Sequence, residues 1–390
     1  MEVRQISTPE ERAASGLVST ISFHMRISDA EKWREGCEKS TDQDWAAFAE
    51  DGQMMAHIIN NQYETYFDGH IVKNGGIGGV STLPEYRYSG AIGAIFAKLL
   101  PQAYKNGEII STLYPFNHAF YRKAGYETVC WRSDYTFAPG ALAQYRFGGR
   151  VAMWKPGDDV APYTALYNRF AAGYNLAVRR DDEMMAGRMK GELLRDRKFT
   201  YLLTEGERPL AYVIFQDVYH DPAAILSVKD MAWDGPEGFR AILGFLSRFS
   251  ADYGSVELFL PRDLELFSVI HAADAYGVKK TTGQDYMARA VNARALLALM
   301  KKPEDSRFTI RISDGIIPEN NGVFEVCGND ARATDAAPDL DVSVQALAQL
   351  ALGAVSLDEA ACREDVRVLG DAAALREIFV RKPILVEDHF

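Results

Sequence analysis

The chain lacks the features that mark several protein classes. Only four cysteines occur among 390 residues (Cys37, Cys130, Cys327 and Cys362), and no two form a C-x-x-C pair. That spacing argues against a disulfide framework or a zinc site and leaves reduced, partly buried thiols. No stretch of about 18 consecutive apolar residues exists, so no membrane insertion is expected. The opening, MEVRQISTPEERAA, is polar and has no apolar segment of the kind that directs secretion. With the unpaired cysteines, this makes the cytoplasm the expected compartment. Basic residues are the minority: 43 Lys and Arg against 54 Asp and Glu give a formal net charge of -11 and a pI near 5.3. Nucleic-acid binding needs clustered Lys and Arg to displace counterions, so no nucleic-acid partner is expected. An acidic surface favours cationic ligands such as amines. Two phosphate-binding motifs are also missing. The run Gly75-Gly76-Ile77-Gly78-Gly79 leads to Pro84 rather than to a helix and lacks G-x-G-x-x-G spacing, and no G-x-x-x-x-G-K-[ST] occurs.

What is present is an ordinary globular balance, 47% hydrophobic and 25% charged, over a length that suits two or three domains. Residues 8–19 read as a helix opened by Thr8, Pro9, Glu10 and Glu11. Residues 53–60 read as a strand, with a turn at Asp68-Gly69. A Gly-rich strand up to Leu83 is broken by Pro84, and a helix begins near Ser89, with apolar residues at Ile92, Ile95, Phe96, Leu99 and Leu100. A short strand at 109–113, a short helix at 117–124 ended by Gly125, and a strand at 126–137 follow. After a Gly/Pro-marked segment near 138–150, the plan repeats in outline. Helices are expected near 161–173, 181–190 and 236–252, and strands at 199–204, 210–216, 225–233 and 255–260. From about 286 the pattern changes to a hairpin over 308–326 and helices near 343–352, 357–363 and 371–379. Strands followed by helices suggest a small α+β domain. The expected division is 1–145, 146–285 and 286–390.

The stretch richest in chemical meaning runs from Val80, Ser81 and Thr82 through Arg87, Tyr88, Ser89, Gly90, Ala91, Ile92 and Gly93. An R-x-x-G turn entering a helix exposes backbone N–H groups where the helix dipole is positive, an anion site suited to a pyrophosphate. Gly90 and Gly93 allow a close approach of ligand to backbone. The rival reading is a plain structural connection. Downstream stands Ala119-Phe120-Tyr121-Arg122-Lys123-Ala124-Gly125-Tyr126.

These two elements, in this order and separation, resemble the GNAT (Gcn5-related N-acetyltransferase) superfamily. There a splayed strand binds the pantetheine arm, R-x-x-G-x-[GA] binds pyrophosphate, and a later tyrosine lies near the thioester sulfur. Ile92 departs from the small residue of that pattern. Over its full length the chain resembles the Eis (enhanced intracellular survival) family, most strongly over VSTLPEYRYSGAIG and LYPFNHAFYRKAGYE, and at a tail ending in Phe390. The resemblance implies a mixed α/β (α+β) fold, with two tandem GNAT-like domains and a sterol-carrier-like α+β domain. It also implies acetyl-CoA as co-substrate, held by Val80, Ser81, Thr82, Tyr88 through Gly93, Phe116 and Asn117. Tyr121 would be the proton donor and the Phe390 terminal carboxylate the base. A small-molecule amine would be the acceptor: aminoglycosides, with lysine side chains or polyamines beside them. A homo-hexamer is implied too.

Simpler readings stand beside each choice. Tyr121 could be a packing residue, and Tyr126, opening the next strand, reads as core. His57 reads as a satisfied core histidine, His118 as an exposed residue at a helix start, and His389 as a neighbour that could tune the terminal carboxylate. A C-terminal aromatic is ordinarily a frayed end. In the second repeat the equivalent turn, Asp234-Gly235-Pro236-Glu237-Gly238, carries acidic residues that would repel pyrophosphate, so no cofactor is expected there. Residues 346–355 would either line a lipid groove or pack as core. Two further functions stay open: a lipid- or acyl-binding carrier with an inactive first domain, and a CoA-sensing module without turnover. No metal site is expected.

Overall fold

The computed structural model of the chain describes residues 1–39, 43–220, 223–271 and 273–388. Two compact units divide it. One comprises Met1–Val129, Asp285–Lys382 and the chain from Asp388 onward, the other Cys130–Gln284 and Pro383–Glu387.

In the first unit, strand β1 (Glu2–Gln5) is followed by helices α1 (Pro9–Ser22) and α2 (Ala30–Glu38) and strands β2 (Asp44–Phe48), β3 (Met54–Phe67) and β4 (His70–Thr82). The α1 start matches its sequence signals. The Thr8 side chain accepts from the Glu11 N–H, the Glu11 carboxylate returns to the Thr8 backbone, and Pro9 sits in the first turn. Asp68 and Gly69, at φ 48° and 86°, make the two-residue turn between β3 and β4. A single 3-10 turn at Pro84–Tyr86 ends the strand region, and helix α3 (Ala91–Lys105) follows. Ile92, Ile95, Phe96, Leu99 and Leu100 of α3 are all buried, each contributing roughly 1.5–3 kcal/mol as an upper figure. Strand β5 (Ile110–Leu113), helix α4 (His118–Arg122) and strand β6 (Glu127–Phe137) complete this stretch. The strand order is β1-β2-β3-β4-β5, antiparallel up to β4 and parallel between β4 and β5. Alternate residues of β2 feed opposite layers: Ala46 and Phe48 pack with Val18 of α1, and Ala47 with α3.

The second unit contains β7 (Arg150–Met153), α5 (Ala161–Ala171), α6 (Asp182–Met189), β8 (Lys198–Glu205), β9 (Arg208–His220), β10 (Ala223–Trp233), α7 (Gly235–Leu246) and β11 (Ser255–Leu260). Its order β7-β8-β9-β10-β11 repeats the plan: antiparallel neighbours, then a parallel strand reached through a helix. The Gly/Pro-marked segment is no loose linker, because Ala141 and Leu142 are buried in the core with Ile242 and Leu246 of α7.

The rest of the chain forms β12 (Lys279–Ala290), α8 (Ala293–Leu299), β13 (Arg307–Ser313), β14 (Gly322–Cys327), β15 (Asp330–Ala333), β16 (Leu340–Ser343), α9 (Val344–Leu352), α10 (Leu357–Ala360), β17 (Val366–Val368) and α11 (Ala372–Ile378). Met287–Ala290 of β12 pair with β5. The last five strands form a separate sheet of order β15-β14-β13-β16-β17. α9 is buried from Ala346 to Leu352, a packed helix of that layer. The chain is thus a mixed α/β structure. Among the described residues, no helix is long and apolar enough to cross a membrane.

One close approach inside the first sheet is testable. A Cβ on Gly75 would collide with Glu108 Oε2 and Asn60 Oδ1. Glu108 is held in place by Asn60 and Gln62, which donate to its Oε1 at 2.9 and 3.0 Å. With no room to yield, Gly75→Ala should cost about 1–3 kcal/mol by overpacking. The cost would be read as a lower denaturant midpoint with an unchanged slope.

Candidate active site

The site begins with a change of step between two strands. His57 faces Ser81, but Ile59 faces Gly78, so Gly79 and Val80 together oppose Ile58. This is a β-bulge with its extra residue in β4. Gly79 lies at φ 59°, and a Cβ there would come within 2.8 Å of Ile59 Cδ1, so the position requires glycine. On its other edge, β4 pairs with β5 from Asn74–Ile110 to Ile77–Leu113, where β5 ends. β4 continues to Thr82. Beyond Ile77 the two strands no longer form a ladder, which leaves the end of β4 without a strand partner on that edge among the described residues. Val80 is half-buried here. Ser81 is buried and donates to the Gly79 carbonyl at 3.0 Å, and the Thr82 carbonyl accepts from Ser22 at 3.2 Å.

The turn after β4 supplies the second part. Arg87 is extended and exposed, with no side-chain partner among the described residues. Tyr88 is fully exposed at φ 66°, a strained conformation for a non-glycine residue, and Ser89 is exposed beside it. Gly90, at φ 84°, occupies the N-cap of α3 and brings no side chain to satisfy the first-turn N–H groups. Nothing lies within 4 Å of a Cβ built on Gly90 or Gly93, so the space before these amides is open. The result is an uncapped, positively polarised helix end. Ala91 and Ile92 turn their side chains into the core beneath it. The larger residue at Ile92 therefore does not obstruct the turn.

The third part is Tyr121. Asn117 caps the short α4 by accepting from the Phe120 N–H at 3.0 Å, and Tyr121 lies one turn later. Its ring packs edge-on against Phe96 of α3 (centroids 6.3 Å apart), Phe116 (5.3 Å) and Phe120 (5.2 Å). Ala91, Ile92, Tyr121 and Tyr126 belong to one apolar cluster, which Val80 joins from its edge. The two tyrosines differ in one respect. The Tyr126 hydroxyl is satisfied by Ser111 Oγ at 2.7 Å, whereas the Tyr121 hydroxyl bonds to no described residue. Tyr126 is core, as expected. Burial raises the Tyr121 pKa well above that of an ordinary phenol, so the group keeps its proton. Phe116 is two-thirds exposed at the rim.

The histidines depart from expectation. His57 is buried and bonds Ser19 Oγ through Nε2 at 2.8 Å, but its Nδ1 has no partner among the described residues, so it is only half satisfied there. His118 is half-buried rather than exposed, and its Nε2 is enclosed with no partner among the described residues. The chain enters α4 only four residues after the buried β5, so a helix start there does not ensure solvent. Phe390 and His389 lie outside the described residues. The residues before them are not frayed: Leu385, Val386, Glu387 and Asp388 are buried. The Asp388 carbonyl accepts from Tyr286 at 3.1 Å, and Tyr286 packs edge-on on Tyr114, one residue past β5.

In the second unit the corresponding helix end is built differently. Gly238 of α7 is closed against the Leu210 carbonyl, and Asp234 and Glu237 flank the turn, paired with Arg208 at 3.2 and 3.6 Å. Among the described residues, no group of three His, Cys, Asp or Glu could hold a metal ion.

Comparison with known proteins gives this geometry a class. The family profile for the acetyltransferase (GNAT) domain matches residues 2–129, and that for the sterol carrier protein domain matches residues 287–386. A search of curated proteins found no match. Solved structures align along the whole chain. A probable N-acyltransferase from Enterococcus faecalis V583 is similar at 22% identity and TM-score 0.87, covering 100% of this chain and 99% of its own. A GCN5-related N-acetyltransferase from Anabaena variabilis follows at 18% and 0.86, covering 100% of both chains. Eis1 from Mycobacterium abscessus aligns at 20% and 0.84, again covering 100% of both. The chain therefore carries a GNAT acetyltransferase domain followed by a sterol-carrier domain, and is an acetyltransferase by class. Its whole-chain fold is Eis-like.

The buried His57 beneath the bulge makes a pH prediction. Desolvation lowers its pKa from 6.5 to about 4. The unfolded chain therefore takes up a proton near pH 6.5 and the folded chain only near 4. Stability from this group is full above 6.5 and falls as pH drops through that window. His57→Gln should flatten the decline of Tm between pH 6.5 and 4, measured by thermal melts of both proteins. An unchanged slope would mean that His57 is not held neutral.

Proposed function

We propose that the chain is an acetyl-CoA-dependent N-acetyltransferase acting on an amine of a cationic small molecule. Aminoglycosides are the first candidates, with polyamines and lysine side chains beside them. The observation that carries this reading is the parting of β4 from β5 beside the uncapped end of α3. A thioester carrier is long and ends in a diphosphate, and this arrangement offers an open strand edge for its arm and a positive helix end for its anion. Val80, Ser81 and Thr82 would line the arm. Arg87 and Tyr88 through Gly93 would hold the pyrophosphate, chiefly through main-chain N–H groups. Phe116 and Asn117 would close the far side.

The chemistry follows from the residues present. The amine attacks the thioester carbonyl, aided by backbone N–H donors at the bulge. As the carbon–sulfur bond breaks, Tyr121 gives its proton to the leaving sulfur. The proton that the amine gives up to the base in the end restores the phenol. A protonated phenol that bonds to no described residue suits that role, and the Tyr121 hydroxyl is one. The terminal carboxylate of Phe390 would accept the amine's proton. Its reference pKa near 3.5 makes it a weak base unless burial raises it. The residues before it, Leu385 to Asp388, are buried. The second GNAT-like region, in a division at 1–145, 146–285 and 286–390, would bind no cofactor. A homo-hexamer in the cytoplasm completes the proposal.

The direct test is thiol release from acetyl-CoA with a panel of aminoglycosides, polyamines and lysine peptides. Tyr121→Phe should lower turnover by roughly 10²-fold or more while leaving acetyl-CoA affinity nearly unchanged. Full activity in that variant would remove Tyr121 from the chemistry. Residues appended after Phe390 should impair turnover by displacing the carboxylate. A C-terminally extended enzyme working at full rate would show that the base lies elsewhere.

A further inference from the structure

The helix that carries Tyr121 is five residues long, too short to hold its own geometry. Side chains from the sterol-carrier region grip the carbonyl of its last residue, Arg122, and that of Ala124 two residues beyond. Gln345 of α9 donates to the Arg122 carbonyl at 3.0 Å, and Arg289 of β12 donates to the Ala124 carbonyl at 2.6 Å. Gly125 ends the helix at φ 83°, and a Cβ there would lie 2.7 Å from Arg289 Nη1 and 3.1 Å from Val344 Cγ1. The two later elements therefore close directly onto the turn that follows Tyr121. Arg289 is wholly buried and braced in turn: its Nη2 meets Asp314 Oδ2 at 2.5 Å, and Asn320 donates to that same oxygen at 2.8 Å. Just downstream, Glu127 pairs with Arg363 at 2.8 Å, and the Thr128 carbonyl accepts from Gln349 at 2.7 Å.

Carbonyls at a helix end are usually satisfied by water or by the next turn of chain. Here the Arg122 carbonyl accepts both from the Gly125 N–H at 3.0 Å and from the Gln345 amide, while the Ala124 carbonyl is met by a guanidinium more than 160 positions away that is desolvated to do it. We propose that Arg289 and Gln345 are positioning residues. Through the carbonyls of Arg122 and Ala124 they fix the direction of the Tyr121 phenol, so the sterol-carrier domain acts as a brace for the acetyltransferase site. The inference rests on the reading of Tyr121 as proton donor.

Gln345 is only half-buried and contributes one bond here, so Gln345→Ala keeps the core intact; Arg289→Met is the companion variant. Turnover, KM for acetyl-CoA and Tm would be measured for Gln345→Ala alone and in the Tyr121→Phe background. One lost neutral hydrogen bond, realised in the transition state, predicts a fall in kcat of about fivefold. KM should change less than about twofold, because the diphosphate turn is untouched. In the Tyr121→Phe background the same substitution should have no further effect on kcat, a non-additivity that general loosening would not produce. Arg289→Met, where it folds, should show the same pattern with a larger loss. An equal loss in both backgrounds, or unchanged kcat in Gln345→Ala while Tyr121→Phe is slow, overturns the positioning role alone. A Tyr121→Phe enzyme as fast as the natural one overturns the proton-donor reading and this inference together.

Discussion

The structure depends on one extra residue in one strand. Because β4 carries the bulge at Gly79 and Val80, its last residues leave the straight course of the sheet just where β5 ends. A sheet with an unpaired inner edge is costly, since the exposed N–H and C=O groups need partners. Two glycines make the distortion possible: Gly79 by its positive φ and its tight approach to Ile59, and Gly75 by its contact with the buried Glu108 and Asn60. The sheet stays intact below the opening because β5 is held on both sides, by β4 and by the end of β12. The gap is therefore a feature of a rigid frame.

Around that gap the polar groups left unsatisfied are informative. In the apolar cluster beneath α3, Tyr126 spends its hydroxyl on Ser111, whereas the Tyr121 hydroxyl bonds to no described residue. Such a hydroxyl has its donor and acceptor capacity left for a ligand. The N-terminus of α3 is incomplete in the complementary sense, with donors and no acceptor. An acceptor-rich diphosphate and a sulfur leaving group match these two needs. The α7 turn differs in being closed at Gly238 by the Leu210 carbonyl and flanked by acidic side chains.

Much of this was legible in the residues themselves, and the remainder was not for identifiable reasons. The apolar spacing from Ile92 to Leu100 announced α3, and Thr8 with Glu11 announced α1. The turn at Asp68-Gly69 was equally plain. The bulge was hidden, because a run of four glycines around Ile77 does not say which of them leaves the ladder. β12 was missed: its first half is polar, and its partner β5 lies some 175 residues earlier. Arg289 carries no local signal, since its role comes from Ala124 and Asp314, contacts across the fold. The burial of Leu385 to Asp388 carried no local signal either, because it arises from tertiary packing. The departure from the general pattern at Ile92 is accommodated because its side chain is buried in the core.

The most direct measurement is a crystal structure of the protein grown with coenzyme A. The account predicts the diphosphate on the main-chain N–H groups of residues 88–93, the pantetheine arm between β4 and β5, and the sulfur within hydrogen-bonding reach of the Tyr121 hydroxyl. Coenzyme A bound away from the α3 turn, or a sulfur that the Tyr121 hydroxyl cannot reach, would contradict it.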